Sequence, residues 1–453
     1  MRYLPHTEED VKTMLSEIGV TEINELFEDI PKSIIKNTKF DLPDHKSEIE
    51  VERYMTELSK KNIIATEVPF FIGAGSYNHH IPAAVDHIIQ RGEFLTSYTP
   101  YQPEISQGTL QSLYEFQTQV AMITGMEIAN SSMYDGSTAS AEAVLMATRI
   151  TRRKNVIISE GVHPQWVETI NTFTKPLGIN LSKVKKQNLA NFDENFEEIY
   201  ELINTETACV VIQNPDFFGN IGDFKKLAQR CHKHDALLVV CINEILSLGL
   251  IEPPGELGAD IVVCEGQSLG VGLSFGGPYV GLFATHKKFV RNMPGRIVGQ
   301  TLDKNHKTGW VLTLNTREQH IRREKATSNI CTNSGLCALA FSVHLALLGN
   351  TGFKKLATEN HYRAIQLFDY LKTIKKIKLL NKSFFNEFSL ELPSDASIFV
   401  DYASKKGVLA GLPADRLFHL DGRYKNILVL AVTELNTKTD MNALIKIFKD
   451  YFK

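Results

Sequence analysis

Apolar runs rich in β-branched residues recur from about residue 156 to residue 283, and most are separated by segments long enough for a helix. Val156-Ile157-Ile158, Cys209-Val210-Val211-Ile212, Leu237 to Ile242, Ile261-Val262-Val263-Cys264 and Tyr279 to Phe283 are continuous rather than alternating. A strand that is apolar at every position has both faces covered, so the pattern predicts a mostly parallel α/β sheet between two helical layers. We assign residues 68–340 to this large domain. It opens with the run Val68 to Ile72, a helix beginning near Pro82, and a longer helix through Leu110, Leu113, Val120 and Ile123 that ends near Gly125.

The chain has 453 residues, more than the ~250 to 300 at which a single core stops growing. Residues 1–67 read as a helical arm. Thr7 and Asp10 form a capping box ahead of Val11, Met14, Leu15 and Ile18, and Gly19 stops that helix. A second amphipathic run through Ile23, Leu26, Phe27 and Ile30 is expected to stop at Pro31. Two such helices cannot form a core, so the arm is expected to lie on its own large domain or on another chain. Residues 341–453 read as a small α+β domain: helices broken at Gly349-Asn350, strands near Phe388–Leu392 and Ile427–Val432, and a terminal amphipathic helix.

Lys plus Arg is 49 and Asp plus Glu 52, a net charge of -3, which argues against nucleic acid or anionic lipid as a principal partner. No consecutive apolar run approaches the ~20 residues of a membrane span. The start Met1-Arg2-Tyr3-Leu4-Pro5-His6 lacks the apolar core of a signal peptide, so the cytosol is the expected compartment. Six cysteines are too sparse for a disulfide scaffold and read as reduced. Neither Cys331/Cys337 nor the histidine pairs have a metal-ligand spacing, and no metal is expected.

Tyr134-Asp135-Gly136-Ser137-Thr138-Ala139 places a glycine and two hydroxyls where a helix begins. Free N–H groups at such an end suit a phosphate, and the same residues suit a simple N-cap. His163 follows the Val156–Ile158 strand. Asn214 and Asn243-Glu244 follow two further strands, at the carboxyl edge where open α/β sheets bind ligands.

This cleft resembles the large domain of fold-type-I pyridoxal-phosphate enzymes. Longer segments narrow the resemblance to the P protein of the glycine cleavage system: Phe71 to Tyr77, Ser97 to Gly108, Tyr134 to Ala141, Pro253 to Glu256, Gly276-Gly277-Pro278 and Leu314 to Thr332. The chain has about half the length of the fused P protein and begins with its amino-terminal pattern. It is therefore similar to the alpha subunit of the two-subunit form.

The resemblance implies a lysine that holds pyridoxal phosphate as a Schiff base in the family's catalytic half, within a His-Lys-Thr segment ahead of Gly-Gly-Pro. No lysine occurs between His234 and His286, and ungapped alignment on Gly276-Gly277-Pro278 puts Gln267 at that position. An amide cannot form the imine. Glu244 stands near the position of the aspartate that would pair with the pyridine nitrogen. Gly136, Ser137, Thr138, His163 and Glu244 are accordingly read as a vestigial cofactor pocket. Lys287 and Lys288 read as a solvated helix start.

By the same resemblance, the chain joins a beta subunit of glycine dehydrogenase that carries the lysine and the pyridoxal phosphate. The pair decarboxylates glycine and passes the aminomethyl group to the lipoyl arm of the H protein. Tyr98, Tyr101, Asn315, Thr316, Arg317 and Arg322 are expected to wall the partner's active site, without a catalytic residue from this chain. Two other readings stand beside this one: a free-standing pyridoxal-phosphate decarboxylase or aminotransferase, and a purely structural or regulatory subunit.

Overall fold

The computed structural model describes residues 6–39, 41–193, 196–418 and 421–452. Met1 to Pro5, on which much of the leader reading rests, lie outside the described residues. The chain divides into two compact units, Met1–Ile63 and Ile64–Lys453.

In the first unit, the Glu8–Ile18 helix carries the full Thr7/Asp10 capping box and ends at Gly19 with φ 89°. The second expected helix is corrected. Ile23–Phe27 forms only a 3-10 turn, and Pro31 starts a helix, Lys32–Asn37, instead of stopping one. A proline's missing N–H costs nothing where helical N–H groups lack partners anyway, which is why it suits that end. A further helix, Glu48–Ser59, starts from a Ser47/Glu50 capping box.

The second unit is built on a seven-stranded sheet. Its strands are β1 (Ile128–Ala129), β2 (Asn155–Ser159), β3 (Asn180–Val184), β4 (Thr207–Gln213), β5 (Leu237–Ile242), β6 (Ile261–Glu265) and β7 (Gly281–Thr285), in the order β1-β7-β6-β5-β4-β2-β3. Strands β3, β2, β4, β5 and β6 run parallel, and β7 and β1 are antiparallel to their neighbours. The continuous apolar runs have the expected cause. Along β5, Leu238, Val240 and Ile242 enter one core with Phe116 and Phe341, while Leu237, Val239 and Cys241 enter a second with Val144 and Ile170. The Gln107–Thr124 and Gly335–Leu371 helices contribute to the first core, and Gly136–Thr151 and Pro164–Thr174 to the second.

Gly335–Leu371 is the one helix among the described residues long and apolar enough, by length and composition, to cross a bilayer. Gly349 breaks its helical geometry with φ 56°, and Ala338, Phe341, Leu345 and Phe353 are buried in the core beneath the sheet.

A four-stranded antiparallel sheet formed by Lys378–Leu379, Glu387–Glu391, Ile427–Ala431 and Leu412–Pro413 organises the C-terminal part. The expected strand at Val68 to Ile72 is corrected to a single bridge, Phe70 to Leu409. Phe71 donates to Leu409 O and accepts from Ala431 N–H, and its ring lies in the core of this smaller sheet. The chain after residue 72 is thereby launched across the large sheet's carboxyl edge.

Candidate functional site

The site is built where β4, β5 and β6 end, and the segment Gly73–Tyr77 enters it. Gly73 is required there: a Cβ would lie 2.3 Å from Glu387 Oε1 and 2.5 Å from Ala431 Cβ. Gly75 adopts φ 95°, a conformation that side chains rarely take. The turn brings Ala74 O within 2.9 Å of His163 Nε2. The carbonyl accepts, so Nε2 carries the proton and Nδ1 accepts from Gln165 N–H at 3.2 Å. Burial pushes the His163 pKa down to about 4, and the imidazole stays neutral. A Cβ on Gly75 would lie 3.3 Å from Asn243 Nδ2 and 3.5 Å from His163 Nε2, so the chain's own turn lies against both residues.

Gln267 is held at three points. Its Oε1 accepts from Tyr77 N–H at 2.9 Å, and its Nε2 donates to Tyr77 O at 3.0 Å and to Val271 O at 2.9 Å. The amide completes a backbone pairing that a lysine could not reproduce, because an ammonium has no acceptor. Tyr77 is fully buried and donates its hydroxyl to Glu387 Oε2 at 2.9 Å. Burial raises the Glu387 pKa to about 7, against the pull of the Ala74 N–H and the Tyr77 hydroxyl.

The Gly136–Thr151 helix begins at the same edge, and the N–H groups of Gly136 and Thr138 are taken. Asp135 is the N-cap and accepts from Thr138 N–H at 2.7 Å and from the Ser137 hydroxyl at 2.7 Å. Glu265 Oε2 accepts from Gly136 N–H at 2.9 Å, while its Oε1 accepts from Gln267 and Val280 N–H. Of the two readings left open for this segment, the geometry is that of the N-cap. Burial raises the Glu265 pKa to about 8 despite these donors.

Glu244 lies after β5 and is bound to His79. The imidazole donates to Glu244 Oε2 at 3.0 Å and to Glu434 Oε2 at 2.8 Å. Burial opposes a charge on His79, but the two carboxylates, Glu244 foremost, overcome it and raise its pKa to about 10. The sequence reading missed His79, Tyr77, Glu265 and Glu387. Only the Phe71 to Tyr77 segment pointed towards them, because their partners lie 165 to 355 positions away for His79 alone. It also missed Lys186, the buried lysine among the described residues, whose ammonium meets Asp216 at 2.5 Å and Phe192 O at 3.1 Å.

Lys287 and Lys288 lie beyond Thr285 at the end of β7. Because β7 is antiparallel, Thr285 pairs with Ile261 at the start of β6, so these lysines leave from the edge opposite Gln267. Both are exposed.

The expected wall residues form a separate group. Tyr98 is 85% and Tyr101 59% exposed, and Thr316 and Arg322 are also exposed. Asn315 is partly buried and its Oδ1 has no hydrogen-bond partner. Arg317 differs from the rest: it is buried, and its guanidinium donates to Leu314 O, Met293 O and Gly295 O, fastening its own loop.

The sequence matches the family described as "Glycine cleavage system P-protein" over residues 1–448. A "Probable glycine dehydrogenase (decarboxylating) subunit 1" of Rhodospirillum centenum is 54% identical over 98% of this chain and 98% of its own length. The crystal structure of a glycine decarboxylase (P-protein) of the glycine cleavage system, in inhibitor-bound form, superposes with a TM-score of 0.88 at 39% identity, covering 99% of this chain and 100% of that one. A C-DES mutant carrying glycine covalently linked to its pyridoxal-phosphate cofactor shares the fold alone, with a TM-score of 0.61 at 14% identity. The α/β architecture is that of the fold-type-I pyridoxal-phosphate enzymes.

Pyridoxal phosphate requires an amine for its aldehyde, free donors for its phosphate and a carboxylate for its ring nitrogen. The cleft instead presents Gln267, a helix terminus whose Gly136 and Thr138 N–H groups are held by Glu265 and Asp135, and a Glu244 already bound to His79. The residues present do not fit the group. With a match along almost its whole length, and relatives and a solved structure of the same extent, the chain belongs to the glycine cleavage system P-protein family.

Proposed function

We propose that this chain is the alpha subunit of a two-subunit glycine decarboxylase and acts in a heteromer with a lysine-bearing beta subunit. Pyridoxal phosphate belongs to the partner, where it supplies the electron sink for loss of carbon dioxide from glycine. The aminomethyl group passes to the lipoyl H protein, and the assembly works in the cytosol. The observation that carries this reading is the filled cleft: Gln267 is bound to Tyr77 and Val271 where an amine would be needed, and Glu265 occupies the Gly136 N–H.

In this reading the chain contributes scaffold and wall. The exposed Tyr98, Tyr101, Thr316 and Arg322, with the partly buried Asn315 beside them, form the face offered to the partner, and Arg317 holds the loop that carries it. The relatives' designation as subunit 1 supports a division of labour between two chains.

Co-expression with the lysine-bearing subunit, sizing and a glycine decarboxylation assay test the proposal. The heteromer is expected to release carbon dioxide from glycine and the isolated chain to release none. Turnover by the isolated chain overturns it.

A further inference from the structure

The strands Ile297–Leu302 and Thr308–Thr313 form a two-stranded antiparallel sheet that joins neither larger sheet. A hairpin of this kind is marginal in water unless it packs on something, and its outward N–H and C=O groups need partners. The Gln107–Thr124 helix supplies both. On the first strand, Gln117 Oε1 accepts from Val298 N–H at 2.8 Å and its Nε2 donates to Val298 O at 3.0 Å. On the second, Gln107 Oε1 accepts from Trp310 N–H at 2.8 Å and its Nε2 donates to Trp310 O at 2.8 Å. Each amide takes both backbone groups of one residue, as a neighbouring strand would, so the helix grips the hairpin by its two outer edges. The Trp310 ring packs on Tyr114 of the same helix, with centroids 4.6 Å apart.

The two glutamines differ in what else they hold. Gln117 Oε1 also accepts from the Ser131 hydroxyl at 2.8 Å, which ties the hairpin to the chain leaving β1. Gln107 Nε2 also donates to Pro103 O at 2.6 Å. Pro103 follows Tyr98 and Tyr101, and Trp310 lies on the strand that leads into Asn315, Thr316 and Arg322. One amide therefore joins the two segments that carry the expected wall residues.

Those segments meet again at Tyr101 and His320, whose rings stand edge to face with centroids 6.2 Å apart. Both residues are exposed, and a single aromatic contact in water is a weak tether. The Gln107 side chain is partly buried and makes three hydrogen bonds, so it sets the spacing that the exposed contact cannot.

We infer that Gln107 is a positioning residue for glycine turnover: it holds the tyrosine segment and the arginine-bearing loop in register, so that they meet the partner's site as one surface. It acts through Tyr101 and Arg322 and touches neither substrate nor cofactor. This inference rests on the function proposed above and names the side chain on which the two halves of the wall depend.

The test uses the heteromer with Gln107→Met in this chain, which keeps the length of the side chain and loses every donor and acceptor. The substitution is made in the wild-type background and in a Tyr101→Ala/Arg322→Ala background, where the wall has lost the side chains being positioned. The kcat and KM for glycine are measured per assembled heteromer, alongside cofactor content, melting temperature and assembly size. In the wild-type background kcat/KM is expected to fall about tenfold, the scale of a small misplacement at a reacting site. In the stripped background the same substitution is expected to cost about threefold or less, because residues acting as a unit are not additive. Cofactor content and assembly size stay unchanged. Gln107→Glu, which keeps the acceptor for Trp310 N–H and loses both donations, is run in the same two backgrounds as the milder variant, with the same contrast expected. Unchanged kcat/KM overturns the inference. So does an equal loss in both backgrounds, which is what a purely structural role would give, or a loss that vanishes when turnover is counted per assembled heteromer. Failure of the underlying functional reading is distinguishable, because the unsubstituted heteromer would then fail to decarboxylate glycine.

Discussion

The Glu265 carboxylate accepts the Gly136 N–H at 2.9 Å, so an acidic side chain of the protein sits where the start of a helix would otherwise receive a phosphate. Burial raises the Glu265 pKa to about 8 from the ordinary 4.5. The folded state therefore binds a proton that the unfolded state releases across this window, and stability falls as pH rises from about 4.5 to about 8. Urea unfolding against pH measures this slope. Glu265→Gln is expected to flatten it.

His79 gives a second pH dependence with a different window. Its pKa is raised to about 10 from 6.5, so its stabilising contribution is full below 6.5 and is lost as pH climbs through about 10. His79→Gln leaves Glu244 and Glu434 buried without their cation, and removing one partner of such a set costs about 3 to 5 kcal/mol. Thermal unfolding at pH 7 checks the size of the loss, and the narrowing of the difference between wild type and variant toward pH 10 checks its origin.

Gln267→Lys is expected to destabilise the chain without creating a cofactor site. The substitution removes an acceptor from Tyr77 N–H and sets a buried ammonium beside Tyr77 O and Val271 O. The Ala74–Gly75 turn still lies against His163. A titration of the purified variant with pyridoxal phosphate that develops no visible absorption, together with a lowered melting temperature, meets this expectation.

The large sheet was legible because its strands are apolar at every position, and Leu237 to Ile242 fill two cores by simple alternation. The edge strand β3 was not legible: Asn180, Ser182 and Lys183 are exposed, so it carries little apolar signal. Phe70 and Phe71 read as a strand but pair with residues more than 330 positions later, a register that no local pattern encodes. In the cleft, Gln267 was visible as a substitution within a recognisable frame. His79 and Glu265 were not, because their meaning lies in the partners that the fold brings to them.

Arg317 and Arg322 are five positions apart and separate two effects. Arg317→Ala removes donors from three backbone carbonyls and is expected to cost about 1 to 3 kcal/mol of stability. Arg322 is exposed, and Arg322→Ala is expected to change stability by no more than about 0.5 kcal/mol while reducing glycine turnover of the heteromer. Chemical unfolding of the single chain and turnover of the pair, measured on the same preparations, distinguish the two.

The most direct measurement is borohydride reduction of the assembled heteromer loaded with pyridoxal phosphate, followed by peptide mapping of both subunits. We predict that the fixed label lies on the partner subunit alone and that this chain is unlabelled, with Lys186, Lys287 and Lys288 all free of it. Stoichiometric label on any lysine of this chain would contradict the account.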